Sequence, residues 1–166
     1  MALKWKNSKN SFTSTSGAYE NRITKLRKYT KVRKKLKQVY YKLDLIYPQL
    51  SYQIVGILFD IFINLGPSHK EIQYKKAIEI ALKEVNISYQ REVPCKLFYK
   101  GKFVAIMYLD FLIEEKIVLE IKQGDRFYKK DIEQVYNYLK STGLKLGILA
   151  RFTKSGVKFK RVVNIK

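Results

Sequence analysis

KFVAIMYLDFLIEEKIVLEIK, Lys102 to Lys122, reads as a β-hairpin in which two apolar, β-prone runs meet at a charged turn near Glu114, Glu115 and Lys116. Phe103, Val104, Ile106, Met107, Leu109, Phe111 and Leu112 build the first strand, and Ile117, Val118, Leu119 and Ile121 the second. Asp110, Glu120 and Lys122 interrupt these runs. A charge inside a strand is costly to bury unless it is paired or holds a metal. Glu120 and Lys122 are two apart and share a face. Asp110 joins them there if the loop has an odd number of residues centred near Glu115. A two-residue loop puts it on the opposite face unless a bulge shifts the register. Two carboxylates and an ammonium converging at a sheet edge suit a hard divalent cation beside a phosphate. The same spacing also fits unrelated surface charges on a half-exposed strand, and the motif alone leaves both readings open.

Upstream of the hairpin, Ser88 to Tyr99 reads as a strand with Pro94 marking an edge or bulge, and Lys100-Gly101-Lys102 turns it into the hairpin. Ser51 to Leu65 is apolar throughout and reads as a buried helix. Leu65-Gly66-Pro67-Ser68 stops that helix, and Ser68 is placed to cap the next, His69 to about Val85. That helix carries Ile72, Ile78, Ile80, Ala81 and Leu82, with Glu71 in its first turn, where the helix dipole favours an acid. Downstream, Gly124-Asp125 forms a loop, and Lys129 to Lys140 a helix with Ile132, Val135, Tyr136 and Leu139 on its apolar side. Gln134 and Tyr138 are four apart and share a face, so both can reach one ligand or form an ordinary surface pair. Strands over Leu144 to Phe152 and Val157 to Ile165, joined at Ser155-Gly156, close the chain. The order of helix, helix, three strands, helix and two strands predicts an α/β domain with a mixed sheet.

The 166 residues carry a formal charge of +20, which implies a polyanionic partner: nucleic acid before an anionic membrane surface. Residues 1–42 hold 13 Lys and Arg against Glu20 alone, +12 of that total. Within them, residues 1–20 read as a flexible basic tail and 21–47 as a basic amphipathic helical arm ended by Pro48. Residues 48–166 form the remaining domain. Tyr29, Leu36 and Leu43, with Val32, Val39 and Ile46, repeat every seven residues, giving the arm an apolar stripe. Arg27, Lys28, Lys31, Arg33, Lys34 and Lys35 surround that stripe as candidate phosphate contacts, with strong salt dependence expected. The stripe equally suits packing on the body or on a second copy. Cys95 and His69 are the sole residues of their kinds, which excludes an intrachain disulfide and a Cys cluster and argues against Ser-His-Asp catalysis. Any chemistry must run on carboxylates, lysine and a cation. No secretory signal or membrane-length apolar run is present, so a soluble, intracellular (cytoplasmic) protein without membrane association is expected.

Asp110, Glu120-Ile121-Lys122 and Gln134-x-x-x-Tyr138 together resemble the PD-(D/E)XK nuclease core with the QxxxY element of its RecB-like branch. From about Leu45 onward the chain resembles the GxxExxY proteins of that superfamily. The phrases LIYPQLSYQIVGILFDIFINLGPSHKEIQYKKAIEIAL, YKGK, LDFLIEEKIVLEIK, DIEQVYNYLKSTGLKLGIL and FKRV carry this resemblance. Glu71 and Tyr74 keep the naming motif, Ser68 stands where the family has glycine, and Leu109 precedes Asp110 where proline is common. The resemblance implies a restriction-endonuclease-like αβββαβ core and a metal-dependent phosphodiesterase, with DNA the expected substrate and Mg²⁺ or Mn²⁺ the cofactor. It implies Asp110, Glu120, the Ile121 carbonyl and Glu71 as metal ligands, Lys122 as the group that positions water or offsets developing charge, and Gln134 and Tyr138 as phosphate contacts. Nucleases of this build often pair to cut two strands, which makes a homodimer a further expectation. The alternatives are a nucleic-acid-binding module without turnover, and a protein-interaction subunit that pairs through its arm.

Overall fold

The computed structural model describes residues 46–165, together with Thr24, Arg27, Thr30, Lys31 and Lys34 of the preceding segment. Those five are helical and exposed. The predicted tail, Lys28, Arg33 and Lys35, and the arm's apolar stripe up to Leu43 lie outside the described residues. Two helices, α1 (Pro48–Leu65) and α2 (Glu71–Glu84), lead into the strands β1 (Tyr89–Tyr99), β2 (Lys102–Ile113) and β3 (Ile117–Gln123). Helix α3 (Lys129–Thr142) then crosses to β4 (Leu146–Phe152), and β5 (Val157–Val163) ends the sheet. No helix among the described residues is long and apolar enough to cross a membrane.

The five strands lie in sequence order, with every pairing antiparallel except β3 with β4. A parallel pair needs a crossover connection, and α3 is that crossover. One core lies between the sheet and α1 and α2, built on Ile54, Leu58, Tyr74, Ile78, Phe111, Leu119 and Ile121. The other lies under α3, where Leu109, Val118 and Leu149 meet Val135, Tyr138 and Leu139. Being covered on both sides, β3 and β4 are buried almost throughout. Gly147 on β4 lets α3 sit close, since a Cβ there would stand 2.4 Å from the Val135 Cγ1 atom.

Several expectations shift. Pro48 starts α1 at its first turn, where a missing N–H costs nothing. Ser68 does not cap α2. The helix begins at Glu71 with Lys70 at the N-cap, whose N–H is taken by the Gln73 side chain at 2.8 Å. Ser68 itself adopts φ 73°, a left-handed conformation that glycine takes without strain. On α2, Ile72 and Ile80 are exposed, while Tyr74, Ile78 and Leu82 are buried. Tyr74 stacks on Phe152 with centroids 3.8 Å apart, and its hydroxyl donates to the Gly66 carbonyl at 2.9 Å. On α3 the buried tyrosine is Tyr138, while Tyr136 is exposed.

Candidate active site

The β2–β3 turn comprises Glu114, Glu115 and Lys116, so the loop is odd. Both glutamates adopt positive φ, near 51° and 53°, and the Lys116 N–H closes the turn on the Ile113 carbonyl at 3.0 Å. The ladder then runs through Ile113↔Ile117, Leu112↔Val118 and Phe111↔Leu119. Continuing it by one residue sets Asp110 across from Glu120. There, however, the strands part, and from Leu109 back to Lys102 β2 pairs with β1 alone. Asp110 sits in the crotch of this fork.

At the same point β2 changes which side it buries. Leu109 packs into the core under α3, whereas Phe111 packs into the core under α1 and α2. On β1, Glu92 opposite the switch takes φ 51°, the local irregularity that accommodates it. Asp110 turns its carboxylate into the gap: Oδ2 accepts the Ile121 N–H at 2.8 Å, replacing the strand partner Ile121 has lost. An extended residue points its N–H and C=O the same way, so the Ile121 carbonyl faces the same gap. The other oxygen, Oδ1, meets the Lys75 ammonium at 2.5 Å, and Lys75 in turn meets Glu71 at 2.8 Å, one turn back on α2. Burial pulls the Lys75 ammonium down, but the hydrogen bonds and charges of Asp110 and Glu71 outweigh it and leave it above the usual lysine range.

Glu120 is a carboxylate in the middle of a buried central strand, 2% exposed and on the α3 side. Its Oε1 accepts Lys122 at 2.8 Å and the Gln134 amide at 3.4 Å, while Oε2 is buried without a partner. Burial, then the neighbouring Asp110 charge, push its carboxyl above the usual range, against the pull of Lys122. The Lys122 ammonium is lowered by burial, but raised more by Glu120, with Glu71 and Asp110 adding at longer range. Tyr138 is buried at 1% exposure, donating to the Tyr108 carbonyl at 2.7 Å and accepting from Gln134 at 3.0 Å. Burial also raises its phenol, keeping it a donor. Tyr138 therefore reaches the site from within the core and holds Gln134 in place.

These contacts bring Glu71, Asp110, Glu120, Lys122 and Gln134 to one site from α2, β2, β3 and α3. Among the described residues no three acidic, His or Cys side chains form a ready metal cluster. Lys75, not a third carboxylate, links Glu71 to Asp110. Lys75 was not anticipated from the sequence. Even so, the donor set fits a hard cation. Asp110 and Glu120 lie close enough for the charge of one to act on the other, the Ile121 carbonyl is a third oxygen beside Asp110, and oxygen ligation suits Mg²⁺ or Mn²⁺. Beyond Lys122 and Gln134 opens a cleft of about 480 Å³, also lined by Gln123, Tyr128, Lys130, Asp131 and Arg151. Arg151 is fixed there by a buried ion pair with Asp131, a bond to the Gln123 carbonyl and the ring of Tyr128. That pair was also missed, since a lone Arg in an apolar strand carries no pairing signal.

The match of residues 48–162 to the family model of the PD-(D/E)XK nuclease superfamily covers this whole arrangement. The chain belongs to that superfamily. As a PD-(D/E)XK chain it carries the superfamily's fold. Among solved structures it is similar to one titled crystal structure of SSO0001, at 20% identity and a TM-score of 0.45, over 72% of this chain and 58% of that one. It is also similar to an alkaline exonuclease (LHK-Exo) from Laribacter hongkongensis, at 12% identity and a TM-score of 0.42, over 78% and 76% of the two chains. The chain thus spans a little over half the length of the first of these. No curated protein matches the sequence.

Proposed function

We propose that the chain is a divalent-metal-dependent nuclease that hydrolyses phosphodiester bonds of DNA, with its site at the β2–β3 fork. The observation that carries this is Glu120: a buried carboxylate with one unpartnered oxygen, facing Asp110 across the gap and held against Lys122. A carboxylate buried in the central strand with one oxygen left without a partner is costly to the fold, and such a group suits a site where a cation is to be bound. Asp110, Glu120 and the Ile121 carbonyl would hold Mg²⁺ or Mn²⁺, and Glu71 would join them once released from Lys75. When bound, that ion polarises the phosphoryl oxygen and lowers the pKa of a coordinated water. Lys122, kept protonated by Glu120, offsets charge building on the phosphate oxygens. Gln134, braced by Tyr138, orients Glu120 and borders the cleft toward Arg151. Glu71 and Tyr74 at their motif spacing, with Ser68 in the backbone conformation glycine favours, support placement among the GxxExxY proteins; Gln134 and Tyr138 support the RecB-like branch. The test is cleavage of plasmid and single-stranded DNA with Mg²⁺, Mn²⁺ or EDTA, comparing the native protein with Glu120→Gln and Lys122→Met. Cutting that vanishes with EDTA and in both variants is expected. Cutting that survives Glu120→Gln would refute the assigned site.

One observation favours a second reading, a nucleic-acid-binding module without turnover. Lys75 already pairs with both Glu71 and Asp110, as a permanently seated ammonium would in a protein that binds no metal. The same assay separates the two, because a binding module shows salt-sensitive binding and no cleavage with any ion.

A further inference from the structure

Past the fork, β1 and β2 continue as a two-stranded arm whose tip lies at Lys100 and Gly101. One side of this arm is covered: Cys95 and Leu109, with the partly buried Val93 and Met107, pack toward α3. The rest stands in solvent. Tyr99 is 66% exposed and Phe103 and Tyr108 each 58%, with Phe98 close behind. The Phe98 and Phe103 rings meet edge to face at 6.2 Å across the bulge between Leu97 and Phe98, which leaves ring faces open. Lys96, Lys100 and Lys102 are interleaved with these rings, and Lys100 lies over the Tyr99 ring at 5.5 Å. Residues 93–109 contain no Asp or Glu.

We infer that this arm is a stacking platform for unpaired nucleotides, which makes a single-stranded or frayed nucleic acid the substrate presented to the Asp110–Glu120 gap. This inference rests on the proposed nuclease function for its biological sense, though not for its test. Exposed aromatic rings offer each base a face to stack on, and the lysines track the backbone. Bases inside a duplex show only their edges, so this chemistry selects unpaired ones. The geometry is continuous with the site. Tyr108 is two residues from Asp110 on the same strand and Phe103 seven, roughly 7 and 23 Å at the rise of a strand. A strand lying along β2 would thus run from the rings into the fork. Charge argues against the other occupants of an apolar face. Pairing with a second copy would set Lys96, Lys100 and Lys102 against their equivalents, and protein interfaces are depleted in lysine. The chain's own N-terminal 42 residues, at +12, would be repelled by the same lysines.

The test is binding in EDTA on a Glu120→Gln background, so that no outcome depends on cleavage. Anisotropy of a labelled 20-nucleotide single strand and of the matching blunt duplex is measured for the parent, for Tyr99→Ala with Phe103→Ala, and for Lys96, Lys100 and Lys102 all changed to Gln. Loss of the two rings is expected to weaken single-strand binding by about tenfold or more while leaving duplex binding within twofold. The three Lys→Gln changes are expected to lower the single-strand salt slope by about 2. Tyr99→Trp with Phe103→Trp should retain single-strand affinity. Unchanged single-strand affinity in the Ala variant, or equal losses on both substrates, would overturn the inference. So would a parent that is dimeric by light scattering and becomes monomeric when the rings are removed, because the face would then belong to a second copy.

Discussion

Replacing Lys75 with methionine tests whether its ammonium stands in the place of a divalent ion. Lys75 holds Glu71 and Asp110 at 2.8 and 2.5 Å, with side chains between 13% and 33% exposed. Fully exposed pairs contribute about 0–1 kcal/mol, and stripping one partner from a buried pair costs about 3–5 kcal/mol. This site lies between those limits, so Lys75→Met should destabilise the metal-free protein by about 2 kcal/mol. At about 2–4 °C per kcal/mol for a chain of this size, the melting temperature in EDTA falls by about 4–8 °C. Metal binding moves the other way. A divalent ion entering the native site must displace the ammonium from two carboxylates, and in Lys75→Met it need not. The same 2 kcal/mol then appears as metal affinity about 30-fold tighter. Melting in EDTA and calorimetric titration with Mg²⁺ or Mn²⁺ read the two effects separately. Unchanged or weaker metal binding in the variant would refute the idea that Lys75 competes with the ion, whatever happens to stability.

Further outcomes follow from the same contacts. Because Glu120 is raised by burial and Asp110, its ionisation favours the unfolded chain as pH climbs from the ordinary carboxylate range through its folded value. Glu120→Gln should therefore be at least as stable as the native protein at pH 7 in EDTA while losing cleavage; a large drop in melting temperature would contradict this. Lys75 and Lys122 are raised on folding, so their stabilisation is complete below the ordinary lysine value and lost as pH rises through the folded one. Denaturation followed from pH 8 upward should show that loss, and it should be blunted in Lys75→Met. Ser68→Gly, relieving φ 73°, should raise stability by about 1 kcal/mol in urea denaturation. Tyr138→Phe leaves the part-buried Tyr108 carbonyl without this donor, and should cost about 1 kcal/mol while leaving DNA affinity in EDTA unchanged; a fall in affinity would mean that the hydroxyl meets the phosphate.

Alternation and turn chemistry made the element order legible, because strands buried on one or both faces leave a direct apolar record. The hairpin's parity was not legible. Glu114 and Glu115 take left-handed conformations without a glycine to mark them, so the sequence could not fix a three-residue turn. Glu120 and Lys122 were readable as a pair since two residues always share a face of a strand. Lys75 was not, because its second partner, Asp110, is brought in by the fold from 35 residues away. Tyr138 did carry a signal that went unread: with Val135 and Leu139 it follows helical spacing into the core, whereas the neighbouring Tyr136 points out.

The change of face at Asp110 also constrains how such a chain can diverge. Leu109 and Phe111 are each fully buried, on opposite sides of the sheet, so an insertion or deletion beside Asp110 would break one core or the other. Past Ala105 no such double anchorage exists, and the ladder already absorbs an offset at Leu97 and Phe98. The arm can therefore lengthen, shorten or change its rings over generations while the carboxylate at its root stays in place. The part of β2 proposed to meet a substrate is free to vary because the part proposed to act on it is pinned from both sides.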